Sequence, residues 1–257
     1  MSRPTPGAVS SGYRWRDDPF LGWRLATYAT LLLGSAVAWW FTVARTQGMD
    51  MSMGPGGPVF FMVTWVVMMA AMMFPSVAPM VATYVSVQRG RRARAMPAAA
   101  GGTAFFVAGY LVAWSCAGLL CYVVLRAGQL VAGDSGFWQG DGRWVSAGVL
   151  ALAAVYELTP AKYACLRRCR GPVAFILEHW HDGRLGALRM GAVHGLWCVG
   201  CCWGLMAALV ALGLMSLGWM AVVALLIAVE KLVPHPRWAT GSVAALLALA
   251  AVAVAVG

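Results

Sequence analysis

The sequence contains few charged residues. Asp, Glu, Lys and Arg together make up 11% of the 257 residues, whereas soluble domains carry about 25%. This shortage excludes a water-soluble globular domain, because there are too few polar side chains to cover its surface. Hydrophobic residues make up 61% of the chain, which also excludes a disordered or collagen-like protein. The chain is therefore expected to lie in a membrane.

Signatures of several enzyme and binding classes are also absent from the sequence. It has no Gly-x-Ser-x-Gly nucleophile elbow, no HExxH zinc site and no glycine-rich phosphate loop. Hydrolytic catalysis and nucleotide binding therefore have no support, and we predict that the protein is not an enzyme. Its 7 cysteines lack the regular spacing of a secreted disulfide framework, so they are predicted to be reduced thiols.

Apolar runs long enough to cross about 30 Å of hydrocarbon recur along the chain. They predict an all-α, polytopic transmembrane helix bundle of about seven spans, forming a single domain at 24–257 after a cytoplasmic segment at 1–23. The predicted spans are 24–44, 59–85, 102–125, 144–158, 186–213, 217–233 and 239–256. The fourth span is short and is followed by Pro160, which predicts a tilt or a break there.

The distribution of basic residues predicts the orientation. Of the 19 Lys and Arg residues, all except Arg45, Arg126 and Arg143 fall in the segment up to Arg24, in the 86–101 and 159–190 loops, or at 230–238. Because basic loops stay on the cytoplasmic side, the amino terminus is predicted to be inside and the carboxyl terminus outside. This placement explains the positive net charge without nucleic acid as a partner.

The first span contains a stretch that resembles a signal-peptidase site. Ser35-Ala36-Val37-Ala38 has the small residues of such a site. The apolar run continues through Phe41, which makes it longer than the core of a typical signal peptide and favours an uncleaved anchor. Cleavage stays open as the alternative.

Methionine is concentrated in one part of the chain. Nine of the 15 methionines fall between positions 49 and 80. Thioethers are soft donors that suit Cu(I) and are poor ligands for magnesium or calcium. In the second span, Met packing between helices is an equal alternative to metal binding, whereas the loop triplet has little to pack against and favours metal capture. The candidate ligands are Met49, Met51 and Met53 in the loop, and Met68, Met69, Met72 and Met73 in the span.

The fifth predicted span carries a stripe of nitrogen and sulfur donors. His194, Cys198 and Cys201 lie at i, i+4 and i+7, on one helix face, and Cys202 borders it. Imidazole and thiolate groups are ligands for copper and zinc. A single buried cysteine is usually a small hydrophobic residue, but four such donors in one span favour a metal site. Nearby glycines would allow another helix to approach closely.

Two further groups of residues lie toward the predicted inner face. Cys165 and Cys169 are four apart among arginines, a pattern that suits either a pair of thiols or an interfacial helix that meets lipid phosphates. Glu157 and Glu230 lie near the ends of apolar spans, where an unpaired charge is costly. An ion pair with Lys or Arg between helices is the favoured role, and metal ligation or proton relay is the alternative.

Three separated blocks of the sequence carry a resemblance to a known family. They are 68–76 (MMAAMMFPS), 158–170 (LTPAK followed by CLRRCR) and 194–203 (HGLWCVGCCW). With these blocks the chain resembles, over about 60–235, the bacterial predicted metal-binding integral membrane proteins known as DUF2182. The resemblance implies a multi-pass protein of the bacterial inner membrane with a role in metal, and sometimes copper, handling. Three positions depart from the family pattern, namely Glu157, His181 and Ser216, and none of them removes a thiol or a thioether.

The sequence therefore supports one leading function and two alternatives. The leading hypothesis is an inner-membrane protein that captures, delivers or transports Cu(I), with zinc as the competing metal and a metallochaperone or metalloenzyme as partner. The second is a membrane thiol oxidoreductase, against which the depth of Cys198, Cys201 and Cys202 in the span argues. The third is a scaffold or assembly subunit in which the Met and Cys residues only pack.

Overall fold

The computed structural model describes residues 20–46, 57–132, 142–213, 216–233 and 236–256. Over these residues the chain forms nine helices and no strand, so the predicted all-α fold is confirmed. The helices are α1 (Leu21–Thr46), α2 (Pro58–Ala93), α3 (Gly102–Ala132), α4 (Gly142–Glu157), α5 (Pro160–Arg170), α6 (Pro172–His179), α7 (Gly183–Gly213), α8 (Leu217–Leu232) and α9 (Pro236–Val256).

Five of these helices (α1, α2, α3, α7 and α9) are long and apolar enough to cross a membrane. A sixth span arises if α4 and α5 are counted together. The predicted span at 217–233 forms α8, whose 16 residues reach only about 24 Å at 1.5 Å per residue. That is shorter than a hydrocarbon core of about 30 Å. The described helices thus provide five or six spans where the sequence predicted about seven, and the orientation stays a prediction.

The predicted break at Pro160 is present. α4 ends at Glu157, α5 begins at Pro160, and the two axes are bent by 66°. Proline suits the first position of a helix because it has no backbone N–H to donate. Thr159 caps the new helix, its hydroxyl accepting a hydrogen bond from the Lys162 backbone N–H at 3.3 Å. The bend turns α5 so that it packs against α7.

Helix α2 continues through two internal prolines, Pro75 and Pro79. Pro75 cannot donate the usual hydrogen bond to the carbonyl of Ala71, four residues earlier. The hydroxyl of Ser35 in α1 donates to that carbonyl instead, at 2.6 Å, and both residues are buried. α1 therefore satisfies a backbone group that α2 cannot satisfy by itself.

Helix α7 lies at the centre of the bundle and packs against α3, α4, α5 and α8. Its glycines permit this, as the sequence predicted. A Cβ atom at Gly195 would lie 2.7 Å from the Ala113 Cβ and 3.0 Å from the Tyr110 carbonyl of α3. A Cβ atom at Gly204 would lie 3.1 Å from the Tyr156 ring of α4. Small residues thus bring the α7 backbone close to its neighbours and place its cysteines in the core.

Candidate metal centre

Three cysteines of α7 come together in the core of the bundle. The sulfur atoms of Cys198, Cys201 and Cys202 all lie within 4.8 Å of one another, and those of Cys201 and Cys202 are 3.3 Å apart. Each residue is at most 1% exposed. The spacing i, i+3, i+4 keeps the three side chains on one side of the helix.

A fourth thiol reaches this group from α5. The Cys169 sulfur lies 3.6 Å from the Cys201 sulfur, although the two residues are far apart in the sequence. Cys165, one helical turn earlier, packs instead against α7 at Gly200, where an added Cβ atom would lie 2.8 Å from its sulfur. All of these cysteines are free. We refer to Cys169, Cys198, Cys201 and Cys202 as the thiol cluster.

Two polar side chains from other helices contact Cys198. The Lys231 ammonium of α8 lies 3.0 Å from its sulfur, and the Tyr110 hydroxyl of α3 lies 3.1 Å from it. A lysine beside a sulfur provides the positive charge that a thiolate needs when it is removed from water. Sequence reasoning missed Tyr110 altogether, and it treated Lys231 only as the neighbour of Glu230.

Lys231 also links the thiol cluster, through Ser76, to Met73 of α2. The ammonium donates to the Ser76 hydroxyl at 3.2 Å, and this hydroxyl donates to the Met73 carbonyl at 2.9 Å and lies 4.0 Å from its sulfur. Met68, Met69, Met72 and Met73 are all buried, with at most 5% exposure. The loop triplet Met49, Met51 and Met53 lies outside the described residues.

His194 lies one turn before Cys198, but its ring nitrogens are not among the potential ligand atoms that lie within 4.8 Å of one another. Its ring packs among the rings of Phe106, Tyr110 and Phe175, with centroid distances of 6.2, 6.1 and 5.1 Å. Its Nδ1 atom is buried and has no hydrogen-bond partner among the described residues. The structure thus places an aromatic pocket around the residue that the sequence marked as a nitrogen ligand.

A buried ion triad shares helix α5 with the thiol cluster. The Lys162 ammonium lies 2.5 Å from a Glu157 oxygen and 2.8 Å from a Glu230 oxygen. All three residues are at most 1% exposed. This confirms the expected ion pairing of the two glutamates and identifies the cation as Lys162. The triad joins the end of α4, the start of α5 and the end of α8.

The geometry of the thiol cluster suits a soft metal ion. With metal–sulfur bonds of about 2.3 Å, ligand sulfurs lie roughly 3.8–4.6 Å apart. The three α7 sulfurs all lie within 4.8 Å of one another, and the two closest pairs, at 3.3 and 3.6 Å, would open by a few tenths of an ångström around an ion. Thiolate ligands select Cu(I) and Zn(II) over magnesium, calcium and manganese. The cluster therefore has both the donor type and the spacing that a copper or zinc ion needs.

The protein is thus a bundle of helices, several of them long and apolar enough to cross a membrane. Its core contains a thiol cluster that could hold a soft metal ion. The model of the PpoB2 copper chaperone family matches residues 62–254. This match covers well over half of the chain and includes every residue of the thiol cluster, so the protein belongs to this family. No curated protein and no solved structure matches the chain.

The family match confirms the copper-related part of the sequence prediction. It names a copper chaperone family, whereas the DUF2182 name itself stays a prediction. A chaperone holds and passes on an ion instead of converting a substrate, so the match also favours a non-catalytic role.

Proposed function

We propose that this protein is a membrane-embedded chaperone that holds Cu(I) on the thiol cluster. Cys198, Cys201 and Cys202 form the core of the site, and Cys169 supplies a fourth sulfur from α5. One observation carries the proposal, namely three buried sulfur atoms within 4.8 Å of one another in a chain of the copper chaperone family. Burial keeps water away from the ion, and the soft sulfurs match its chemistry.

Copper is favoured over zinc by the family match. Four thiolates also suit zinc, but the family description specifies copper. Charge does not separate the two metals, because Cu(I) with three thiolates and Zn(II) with four thiolates both carry a net charge of −2. The ammonium of Lys231 at Cys198 offsets part of that charge in either case.

The methionines supply a route to the cluster. Met49, Met51 and Met53 are proposed to capture Cu(I) in the outer loop, and the buried methionines of α2 to receive it. Met73 is linked to Cys198 through Ser76 and Lys231. Thioethers bind Cu(I) as neutral ligands and thiolates as anions, so transfer from methionine to cysteine is favourable.

The alternative functions explain fewer of the contacts. A thiol oxidoreductase needs a sulfur that a second molecule can attack, but the three α7 thiols are at most 1% exposed. A scaffold in which the cysteines only pack has no use for a lysine directed at Cys198. Metal storage and delivery accounts for both the burial of the thiols and the positive charge of Lys231 beside Cys198.

The cellular setting follows from the same proposal. Helices long and apolar enough to cross a membrane fit a multi-pass protein, which we place in the bacterial inner membrane with its amino terminus in the cytoplasm. A metallochaperone or a metalloenzyme would exchange copper with it. In this proposal the protein contacts lipid along its spans and binds the metal ion at the thiol cluster.

Removing two cluster cysteines tests the proposal. The Cys198→Ser/Cys201→Ser variant, purified without oxygen and loaded with Cu(I), is expected to lose its stoichiometric copper because two of the core sulfurs are gone. Copper per polypeptide is measured by elemental analysis after dialysis, with Zn(II) loading in parallel.

The matched control is Cys116→Ser/Cys121→Ser, which removes two thiols of α3 that lie outside the cluster. It should keep the copper content of the unmodified protein. Unchanged copper in the Cys198/Cys201 variant would remove this site from consideration. Retention of zinc but not copper by the unmodified protein would reject copper as the cargo.

A further inference from the structure

A cavity of about 810 Å³ lies along α5 and reaches α9. Its described lining contains three arginines, Arg167, Arg170 and Arg237, and no acidic residue. The rest of its wall is largely apolar and includes Leu158 and Leu166. The cavity therefore combines concentrated positive charge with a hydrophobic surface, and it uses none of the thiol cluster.

One contact joins the two helices that carry the arginines. The Tyr163 hydroxyl of α5 lies 2.9 Å from the Thr240 hydroxyl of α9, which joins the two helices. Arg167 lies one turn after Tyr163, and Arg237 lies one turn before Thr240. Arg170 shares the helix face of Arg167 because the two are three residues apart. The three arginines thus line one cavity from two helices.

The charges of these arginines are not neutralised within the described part of the chain. Arg167 and Arg237 are exposed, and no described carboxylate forms an ion pair with either. Arg170 donates through one nitrogen to the Val233 carbonyl, whereas its Nη1 atom is buried without a hydrogen-bond partner among the described residues. By contrast, the neighbouring Arg168 pairs with Glu178 at 3.5 Å.

We propose that this cavity binds a phosphate group, carried either by an anionic phospholipid or by free phosphate. Guanidinium groups match phosphate oxygens in geometry and charge. The apolar wall fits the start of an acyl chain, and basic residues at the cytoplasmic edge of a span attract anionic lipids. The first turn of α9, which carries Arg237, adds backbone N–H groups that favour an anion.

Lipid binding to the full-length protein tests the inference. Native mass spectrometry in detergent would count bound phosphatidylglycerol, with phosphatidylcholine as the zwitterionic control lipid, whose phosphate charge is balanced by its own choline cation. Arg167→Gln/Arg237→Gln should weaken phosphatidylglycerol binding by about tenfold or more, since charge-assisted hydrogen bonds are lost. Arg94→Gln is the matched control, because this exposed arginine lies at the end of α2, outside the cavity.

A second variant and a competition experiment complete the test. Arg167→Lys/Arg237→Lys keeps the charge and should retain an intermediate affinity, which separates a binding role from a folding defect. Competition by inorganic phosphate would identify free phosphate as a sufficient ligand, and its absence would assign the site to lipid. The proposal is overturned if the Gln variant binds phosphatidylglycerol like the unmodified protein, or if phosphatidylcholine binds equally well.

Discussion

The ion triad and the thiol cluster with its neighbouring Lys231 are two buried polar groups that share helices α5 and α8. α5 contributes Lys162 to the first and Cys169 to the second, two turns apart on one helix face. α8 contributes Glu230 to the first and places Lys231 beside the second, because adjacent residues on a helix point about 100° apart. One helix can therefore serve both groups.

The two groups differ in how their charges are balanced. In the ion triad, a lysine already fills the space between two carboxylates at 2.5 and 2.8 Å. In the thiol cluster, one ammonium contacts Cys198 alone, and the other sulfurs face one another. The first group therefore acts as a clamp between helices, whereas in the second the proposed soft cation would supply the positive charge that the other sulfurs lack.

The largest expected effect comes from breaking the clamp. Lys162→Met leaves two buried carboxylates without their cation, and removing one partner of a buried ion pair costs about 3–5 kcal/mol. The free energy of unfolding, measured by denaturant titration in detergent, should fall by about that amount. Arg94→Met, at an exposed position, serves as the control and should leave it nearly unchanged.

A second variant makes the test specific to charge. Adding Glu157→Gln and Glu230→Gln to Lys162→Met should restore part of the lost stability, because the carboxylates no longer need a cation. A loss below about 1 kcal/mol in Lys162→Met, as for a surface pair, would show that the triad is not a clamp.

Lys231→Met is expected to weaken copper binding with a smaller loss of stability. The negative charge of a copper–thiolate complex would lose the ammonium 3.0 Å from Cys198. A hydrogen bond to a charged group contributes about 1.5–3 kcal/mol, so Cu(I) affinity should fall about ten- to a hundredfold. Chelator competition measures this, and Lys231→Arg should keep most of the affinity. Equal affinity in Lys231→Met would mean that the lysine only packs.

The outer methionines are expected to affect the rate of loading and not the final occupancy. Changing Met49, Met51 and Met53 together to Leu should slow copper uptake at limiting external Cu(I), because the capturing thioethers are gone. Occupancy at saturating copper should be unchanged, since the thiol cluster is untouched. Stopped-flow or filter uptake with liposomes compares the two proteins. Equal rates at limiting copper would reduce the triplet to a linker.

His194→Phe is expected to change copper affinity least. The ring lies among Phe106, Tyr110 and Phe175, where a phenyl group can pack, and the sulfurs complete a ligand set without it. Copper content and affinity should therefore be retained. A tenfold or greater fall in affinity in a folded variant, about 1.4 kcal/mol, would instead make His194 a ligand, as the sequence pattern suggested.

Local periodicity was enough to predict the helices and part of the candidate site. Apolar runs located the long helices, and proline chemistry located the bend at Pro160. The spacing of His194, Cys198 and Cys201 predicted a shared helix face bordered by Cys202. The three sulfurs indeed lie together, whereas His194 lies among aromatic rings. These features depend on residues that are close in the sequence.

Contacts between helices that are far apart in the sequence could not be predicted in the same way. Nothing in the local pattern pairs Cys169 with Cys201, or Lys162 with Glu230, because helix adjacency depends on the packing of the whole bundle. One signal was nevertheless available. Lys162, Leu166 and Cys169 lie at i, i+4 and i+7 on α5, the spacing of a single helix face, and Lys162 and Leu166 are fully buried there.

The hydrogen bond from Ser35 to the Ala71 carbonyl bears on how the protein matures. Ser35 lies within the Ser35–Ala38 stretch that resembles a signal-peptidase site, so cutting after Ala38 would separate its hydroxyl from the rest of the chain. The carbonyl that Pro75 leaves unpaired would then lose this partner, and an unsatisfied backbone group within a membrane costs several kcal/mol. Processing would thus weaken the helix that carries the buried methionines, which favours an uncleaved anchor.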